Sequence, residues 1–432
     1  MRFVVVGLHA AGRSACGWLR RLAPEAEIIG VDPRPTPAYA RPLISYVLSR
    51  EIEPGLLELA DPDFFGRLGV TLAAERAVGL KPDQRILVLE SGREIAFDKL
   101  LIATGAQPRR VALQGSLAGE VKYFRGKTDL EALVRAVKPG GAAAVLGGGL
   151  VGFKLTMGLL ARGMRVVLIV SSPRPLSLNV DEHVGGLIGA RLAALDGLTL
   201  MTNATVRSMG PGRERRYALT LENGAVVEVD LVAAGKGVVP RTDWLAGTGL
   251  VAAGGACGPD GAGEAGGVDA GADLQTALPG VYAAGDAARV WDMVLQAPQV
   301  NAIWPMAVEQ GRYAAWNMAG SPAPYPGAMA MNSIPIFGKF MISVGAVNPR
   351  YTSGCETLTI EASRNSYLKL VFREKRLIGA VGLDCPLRLG ELAWAVRKGL
   401  RRDKLPGTWL ANPLGAAPLA GATWGLAGNA YL

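Results

Sequence analysis

Short unbroken apolar runs alternate through most of the chain with stretches whose apolar positions recur every three or four residues. The runs predict strands buried on both faces, and the recurring stretches predict amphipathic helices. Residues 2–7 read as a strand, 11–22 as a helix and 27–31 as a second strand ending at Asp32. That order is a βαβ half-unit. Residues 84–90 and 93–97, separated by Ser91-Gly92, alternate like a hairpin, and 99–103 form an apolar strand that runs into Thr104-Gly105.

The pattern restarts near 113. A helix is predicted over 127–138, broken by Pro139-Gly140-Gly141, then a strand over 142–147, a helix over 150–162 and a strand over 165–170. A helix at 181–195 and strand or hairpin segments to about 234 follow. Residues 249–273 are mostly Gly and Ala and read as a flexible excursion. A strand at 281–284 and a helix at 304–319 come next. The last hundred residues change to short alternating strands (339–346, 357–360, 367–372, 376–383) and one amphipathic helix over 387–402. The tail 405–432 has no charged residue. Its prolines and glycines argue against a transmembrane helix, leaving a coil packed on its own domain or a docking surface for another subunit.

Composition narrows the class. At 432 residues the chain is too long for one ordinary core, so two or three domains are expected. Cys16, Cys257, Cys355 and Cys385 are widely spaced and form no CxxC, which excludes a disulfide scaffold and points to a reducing, cytoplasmic setting. Two histidines cannot build a multi-histidine metal site, and no metal is expected. The net charge of +9 suits an anionic partner, but no basic run is interleaved with aromatics, so nucleic acid is not expected. The apolar start at Phe3-Val4-Val5-Val6 is only a strand long and ends at a glycine turn, so it is not read as a signal peptide, and no membrane association is expected.

Two glycine-rich turns carry the candidate chemistry. The first, Gly7-Leu8-His9-Ala10-Ala11-Gly12, follows Val4-Val5-Val6; the second, Gly147-Gly148-Gly149-Leu150-Val151-Gly152, follows Val145-Leu146. Glycines between strand and helix let the backbone approach a pyrophosphate, whose charge sits at the helix N-terminus. Asp32, about 20 residues beyond Gly12, stands where a carboxylate accepts hydrogen bonds from an adenosine ribose. His9 replaces the middle glycine of the first turn. Two such turns, followed by Ala283-Ala284-Gly285-Asp286, imply two dinucleotides and electron transfer between a flavin and a nicotinamide.

The first turn resembles the FAD turn of the pyridine nucleotide–disulfide oxidoreductase superfamily. Leu101-Ile102-Ala103-Thr104-Gly105-Ala106 resembles its domain-crossing ATG motif, and the 276–286 stretch, ending Ala284-Gly285-Asp286, resembles its second FAD motif. Trp304-Pro305-Met306-Ala307-Val308-Glu309-Gln310-Gly311 is similar to the helix aimed at the flavin pyrimidine, where an N-terminus stabilises negative charge. The resemblance covers nearly the whole chain. It implies FAD contacts from Gly7, His9, Ala10, Ala11 and Gly12, from Asp32 and Pro33, from Arg41 and Pro42, and from Val78. It adds Ala103, Thr104 and Gly105, then Gly285, Asp286 and Trp304. For NAD(P) it implies Gly147, Gly149, Leu150, Val151 and Gly152, with Ser171, Arg174, Gly235 and Gly237.

The implied fold class is α/β, with two Rossmann-like nucleotide-binding domains, the second inserted in the first, and a C-terminal α+β domain. The expected boundaries are 1–112 and 245–325 for FAD, 113–244 for NAD(P) and 326–432 for the C-terminal interface domain.

Three departures shape the expected function. The strand after the second turn ends Val170-Ser171-Ser172-Pro173-Arg174, with no acid near 170. Ser171 and Arg174 suit a 2′-phosphate, yet the intact GxGxxG leans towards NAD, so NAD is expected and NADP left open. Relatives usually carry Glu at position 154, paired with a flavin-side Lys; here Lys154 takes that place, and Tyr46 follows Arg41-Pro42-Leu43-Ile44-Ser45 where the Lys is expected. The positive charge has thus moved to Lys154, where a cation raises the flavin potential. Finally, no cysteine lies in 42–47, where the disulfide-reducing and NADH oxidase branches carry one.

That leaves the non-disulfide branch resembling rubredoxin, ferredoxin and nitrite reductases; Met331-Asn332-Ser333-Ile334-Pro335-Ile336-Phe337-Gly338 is also similar to theirs. The expected protein exchanges hydride with a nicotinamide and single electrons with an iron–sulfur partner. The resemblance extends to the NAD-reducing flavin subunits of multi-subunit aldehyde or 2-oxoacid oxidoreductases, of the tungsten aldehyde oxidoreductase or phenylglyoxylate dehydrogenase type. No cysteine cluster here holds an iron–sulfur centre, so the cluster belongs to the partner. A homo-oligomer is left open. The alternatives are a stand-alone NAD(P)H oxidase or ferredoxin or rubredoxin reductase, and a non-catalytic flavin-binding signalling or scaffold protein like apoptosis-inducing-factor relatives.

Overall fold

The computed structural model describes residues 1–34, 39–59, 61–252, 266–363, 366–385, 389–405 and 409. They fall into two compact units. One combines Met1–Leu178 with Gly185–Ala328, and the other combines Asn179–Val184 with the described residues from Met329 onward. The short segment 179–184 therefore belongs with the C-terminal unit rather than with the 113–244 stretch that surrounds it in sequence.

The first unit holds two five-stranded sheets. Strands β1 (Arg2–Val6), β2 (Glu27–Val31), β3 (Val70–Ala73) and β4 (Lys99–Ile102) contribute to one. Helix α1 (Ala10–Leu22) joins β1 to β2, and α2 (Ile44–Leu48) lies beyond β2. The other sheet uses β5 (Lys122–Tyr123), β6 (Ala142–Leu146), β7 (Arg165–Ile169), β8 (Leu198–Met201) and β9 (Leu231–Ala234). Helix α3 (Lys127–Ala136) precedes β6 and α4 (Leu150–Ala161) follows it. Strand β10 (Val281–Ala283) then returns to the first sheet and leads to α5 (Trp304–Met318).

The sheet orders are β10-β4-β1-β2-β3 and β8-β7-β6-β9-β5. All pairings within them are parallel. Parallel strands covered on both faces need continuous apolar runs, which the sequence supplies. The fold is thus α/β with two Rossmann-like sheets, the second formed by chain that leaves and re-enters the first. The passage out, Ala106–Pro108, pairs antiparallel with the passage back, Val238–Pro240. Thr104 Oγ1 donates to the Arg241 carbonyl at 2.7 Å and Arg241 N–H donates to the Gly105 carbonyl at 2.8 Å, locking the crossing.

The second unit is an antiparallel sheet of β11 (Met331–Ile336), β12 (Lys339–Gly345), β13 (Glu356–Ser363), β14 (Ser366–Arg373) and β15 (Arg376–Leu383), in the order β11-β12-β15-β14-β13, with α6 (Leu389–Arg397). Helix α6 ends earlier than the predicted 402. Gly399 turns to φ +54°, and the Leu400 N–H bonds back to the Ala395 carbonyl, a left-handed glycine stop. Of the uncharged tail, only Leu405 and Trp409 are described. The remainder lies outside the described residues, as does 253–265 of the Gly/Ala excursion. Among the described residues no helix is long and apolar enough to cross a membrane.

Candidate functional site

Both glycine turns sit at the carboxyl end of the central strand of their sheet. Gly7 (φ +95°) and Gly147 (φ +115°) turn where an L side chain is strained. A Cβ on Gly12 would overlap the Gly7 carbonyl oxygen, and one on Gly152 would overlap that of Gly147. Each turn is therefore closed so tightly that only glycine fits. Around Gly149 the space is open, and at the matching position of the first turn His9 fills it.

In the first sheet Val6 pairs with Val31, so the next residue, Asp32, faces the turn. The buried Asp32 carboxylate accepts the Leu8 N–H at 3.1 Å, and its other oxygen accepts the Arg34 N–H at 3.0 Å. Pro33 beside it is exposed. Ala103 presses its carbonyl against Gly7, and its N–H donates to the Val6 carbonyl at 2.8 Å, bringing the Ala103-Thr104-Gly105 crossing to the first turn.

The second flavin motif reaches the same place. Gly285 (φ +75°) is wedged between helices: a Cβ there would stand 3.1 Å from Ala11 Cβ and 3.5 Å from Ala307 Cβ. Its N–H donates to the buried Gln310 side chain at 2.7 Å. A Cβ on Gly311 would strike the Ala11 carbonyl, so α1 and α5 touch backbone to backbone. Their N-termini converge: His9, the residue preceding α1, packs edge-on against Trp304, the first residue of α5, at 5.1 Å, and against Tyr39 at 5.1 Å.

Cations ring this point. Asp286 is ion-paired with Arg125, a residue the sequence reading missed. The buried Nε atoms of Arg41 and Arg125 and the Nε2 of His9 have no hydrogen-bond partner. Burial, then the guanidinium groups of Arg41, Arg34, Arg125 and Arg13, hold the His9 imidazole down to about 2. Burial, then Arg125, also lowers Arg41. Orphaned donors, the N-terminus of α1 and clustered arginines form a cradle for a diphosphate, with the N-terminus of α5 beside it. This fits FAD. Pro42 lies beside Arg41 in the 3₁₀ turn Arg41–Leu43, and Val78 stands exposed on the strand Ala77–Lys81, outside this contact network.

The second turn meets a different set. Gly147 N–H donates to the Ile169 carbonyl at 2.9 Å, and a Cβ on Gly147 would stand 2.6 Å from the Gly235 carbonyl oxygen. Leu150 and Val151 open α4 immediately beyond the turn. Ser171 accepts a hydrogen bond from Lys236 Nζ at 3.1 Å; Lys236 lies between the predicted Gly235 and Gly237 and was also missed. The Arg174 Nε is buried with no partner. The open position at Gly149 and the glycine-closed turn fit a second dinucleotide.

Between the two turns, α4 packs on α2. Lys154, Gly158 and Arg162 recur every four residues and so share one face. A Cβ on Gly158 would stand 2.6 Å from Leu48 Cγ, and Arg162 donates to the carbonyls of Leu48 at 2.7 Å and Val47 at 3.0 Å, satisfying the end of α2. Lys154 Nζ stands 5.3 Å from the Tyr46 ring centre. Burial lowers the Lys154 ammonium, with Glu51 opposing the shift. Cys16 is buried inside α1, and burial pushes its thiol up to about 12, leaving it inert as a nucleophile.

Two linked dinucleotide cradles define a flavoprotein that works with a nicotinamide. The chain belongs to the pyridine nucleotide-disulphide oxidoreductase family, whose profile matches residues 1–311. It is an FAD-dependent NAD(P)H oxidoreductase. It is 29% identical over 429 residues to the epsilon subunit of NADH-dependent phenylglyoxylate dehydrogenase from Aromatoleum evansii, covering 98% of each chain. It is 26% identical over 412 residues to rubredoxin–NAD(+) reductase from Ectopseudomonas oleovorans, covering 92% of this chain and 99% of that one. Among solved structures, the NADH-bound water-forming NADH oxidase from Lactobacillus brevis shares the fold, with a TM-score of 0.84 at 20% identity over 94% and 92% of the two chains.

Proposed function

We propose that this flavoprotein relays electrons between a nicotinamide dinucleotide and a separate iron–sulfur protein, as the nicotinamide-linked flavin subunit of a multi-subunit aldehyde or 2-oxoacid oxidoreductase. The observation that carries this reading is the seam between α2 and α4. There Lys154 meets Tyr46, with no thiol in the 41–48 stretch. A protein disulfide as electron acceptor needs a reactive cysteine beside the flavin. Of the four cysteines, Cys16 is sealed in a helix core and Cys257 lies outside the described residues.

FAD, when bound, supplies the conversion between a two-electron nicotinamide and one-electron carriers. The chain's residues bind and tune. Gly7, Gly12 and the N-terminus of α1 receive the diphosphate, and the N-terminus of α5 faces the flavin pyrimidine. Arg125 fixes Asp286 beside them, and the neutral His9 offers a hydrogen bond without adding charge. Gly147, Gly149 and Gly152 receive the nicotinamide dinucleotide, and Lys154 places positive charge at the join. No side chain is required as acid or base. The names of the two relatives, one a subunit of a dehydrogenase and the other a reductase of rubredoxin, support an external protein partner. The net charge of +9 favours an acidic one.

The test is anaerobic. Protein reduced by NAD(P)H is mixed with rubredoxin, with a low-potential ferredoxin and, separately, with oxygen. Faster reoxidation by an iron–sulfur carrier than by saturating oxygen supports the proposal. Oxygen alone matching those rates favours the stand-alone oxidase.

A further inference from the structure

Lys236 reaches across the second glycine turn. It follows β9 and Gly235, its Cδ lies 3.4 Å from where a Cβ on Gly147 would stand, and its Nζ ends 3.1 Å from Ser171 Oγ beyond β7. The side chain therefore spans the carboxyl ends of three neighbouring strands, β9, β6 and β7. That crevice is where open α/β sheets take their ligands.

A partly buried ammonium calls for an anion. Lys236 has a neutral hydroxyl, and among the described residues no carboxylate forms an ion pair with it. Burial lowers its ammonium with no opposing charge.

Register shows what changed. Val6 pairs with Val31 and Leu146 with Ile169, so Val170 is the counterpart of Asp32. A Cβ on Gly148 would stand 2.6 Å from Val170 Cγ1, so this side chain faces the turn as Asp32 faces its own. A carboxylate there accepts from ribose hydroxyls and repels a phosphate on that ribose. The second site has no such carboxylate, and a lysine arrives from the opposite strand. The loop beyond Ser171 is held close as well, with Leu176 N–H donating to the Gly148 carbonyl at 2.7 Å.

We propose that Lys236 and Ser171 bind the 2′-phosphate of NADP(H), so that NADPH is the preferred nicotinamide. This rests on the nicotinamide reading of the second turn given above, and it reverses the NAD preference expected from the GxGxxG spacing.

The experiment is calorimetric titration of the FAD-loaded protein with 2′,5′-ADP and with 5′-ADP, in wild type, Lys236→Gln and Lys236→Arg. Wild type should bind 2′,5′-ADP at least about tenfold more tightly, the scale of one charge-assisted hydrogen bond. Lys236→Gln should lose that factor with 5′-ADP affinity unchanged, Lys236→Arg should keep it, and the NADPH-to-NADH ratio of kcat/KM should follow. Equal wild-type affinities, or equal weakening of both ligands in Lys236→Gln, overturn the proposal. If NADH still bleaches the flavin in that case, only this inference falls. If neither nucleotide binds and neither nicotinamide bleaches the flavin, the reading of the second turn falls with it.

Discussion

The ammonium of Lys154 lies 5.3 Å from the centre of the Tyr46 ring, across the contact between the helix that follows the second glycine turn and the one that follows Arg41-Pro42. One long side chain thus reaches from the helix after the second turn to the helix after Arg41-Pro42. Replacing it with Gln keeps most of the stem and removes the charge. Lys154→Gln should lower the flavin midpoint by on the order of 30 mV, equivalent to about 1.4 kcal/mol for a two-electron couple. Spectroelectrochemical titration measures it, and an unchanged midpoint removes Lys154 from the site.

The two glycine closures should separate the cofactors. Gly12→Ala forces a Cβ onto the Gly7 carbonyl, and Gly152→Ala forces one onto that of Gly147. Overpacking of this kind costs roughly 1–3 kcal/mol. Gly12→Ala should purify depleted of FAD. Gly152→Ala should keep FAD but show slow, weakly saturating bleaching by NAD(P)H.

Arg125 and Asp286 form a partly buried ion pair, with side chains 19% and 13% exposed. Leaving Asp286 unpaired beside a diphosphate adds repulsion to desolvation. Arg125→Ala should raise the Kd for FAD at least about tenfold, about 1.4 kcal/mol, as read by fluorescence quenching during reconstitution. A double-mutant cycle with Asp286→Asn should show coupling between the two positions.

His9 gives a pH signature. Its folded-state value of about 2 lies below the ordinary 6.5, so the unfolded chain binds its proton more readily. The folded state is therefore fully favoured above about pH 6.5 and loses ground as pH falls below it, by about 1.4 kcal/mol per pH unit. Denaturant unfolding of FAD-free protein should show that slope between about pH 6 and pH 4. His9→Gln should flatten it by that amount.

Much of the architecture was readable because parallel strands must be continuously apolar. β1, β2, β6 and β7 fall within a residue of the predicted runs, and the glycine turns follow directly. What escaped depends on contacts remote in sequence. Arg125 meets Asp286 across 161 positions, and Lys236 meets Ser171 across 65. Neither lysine nor arginine carries a local pattern that says where a flexible side chain will end. The edge strand Met331–Ile336 escaped for another reason. It contains Pro335, which usually argues against a strand and is tolerated because this strand pairs on one side only. His9 looked like a flaw in a fingerprint until the fold placed it between Tyr39 and Trp304.

A flavin reduced with no sulfur beside it stores only two electrons. The most direct measurement is an anaerobic titration of the FAD-loaded protein with NADPH or NADH, followed by absorbance and thiol assay. Complete bleaching is expected at one equivalent of nicotinamide per FAD, with the number of reactive thiols unchanged. Two equivalents per FAD, with new thiol appearing as the second is consumed, would contradict it.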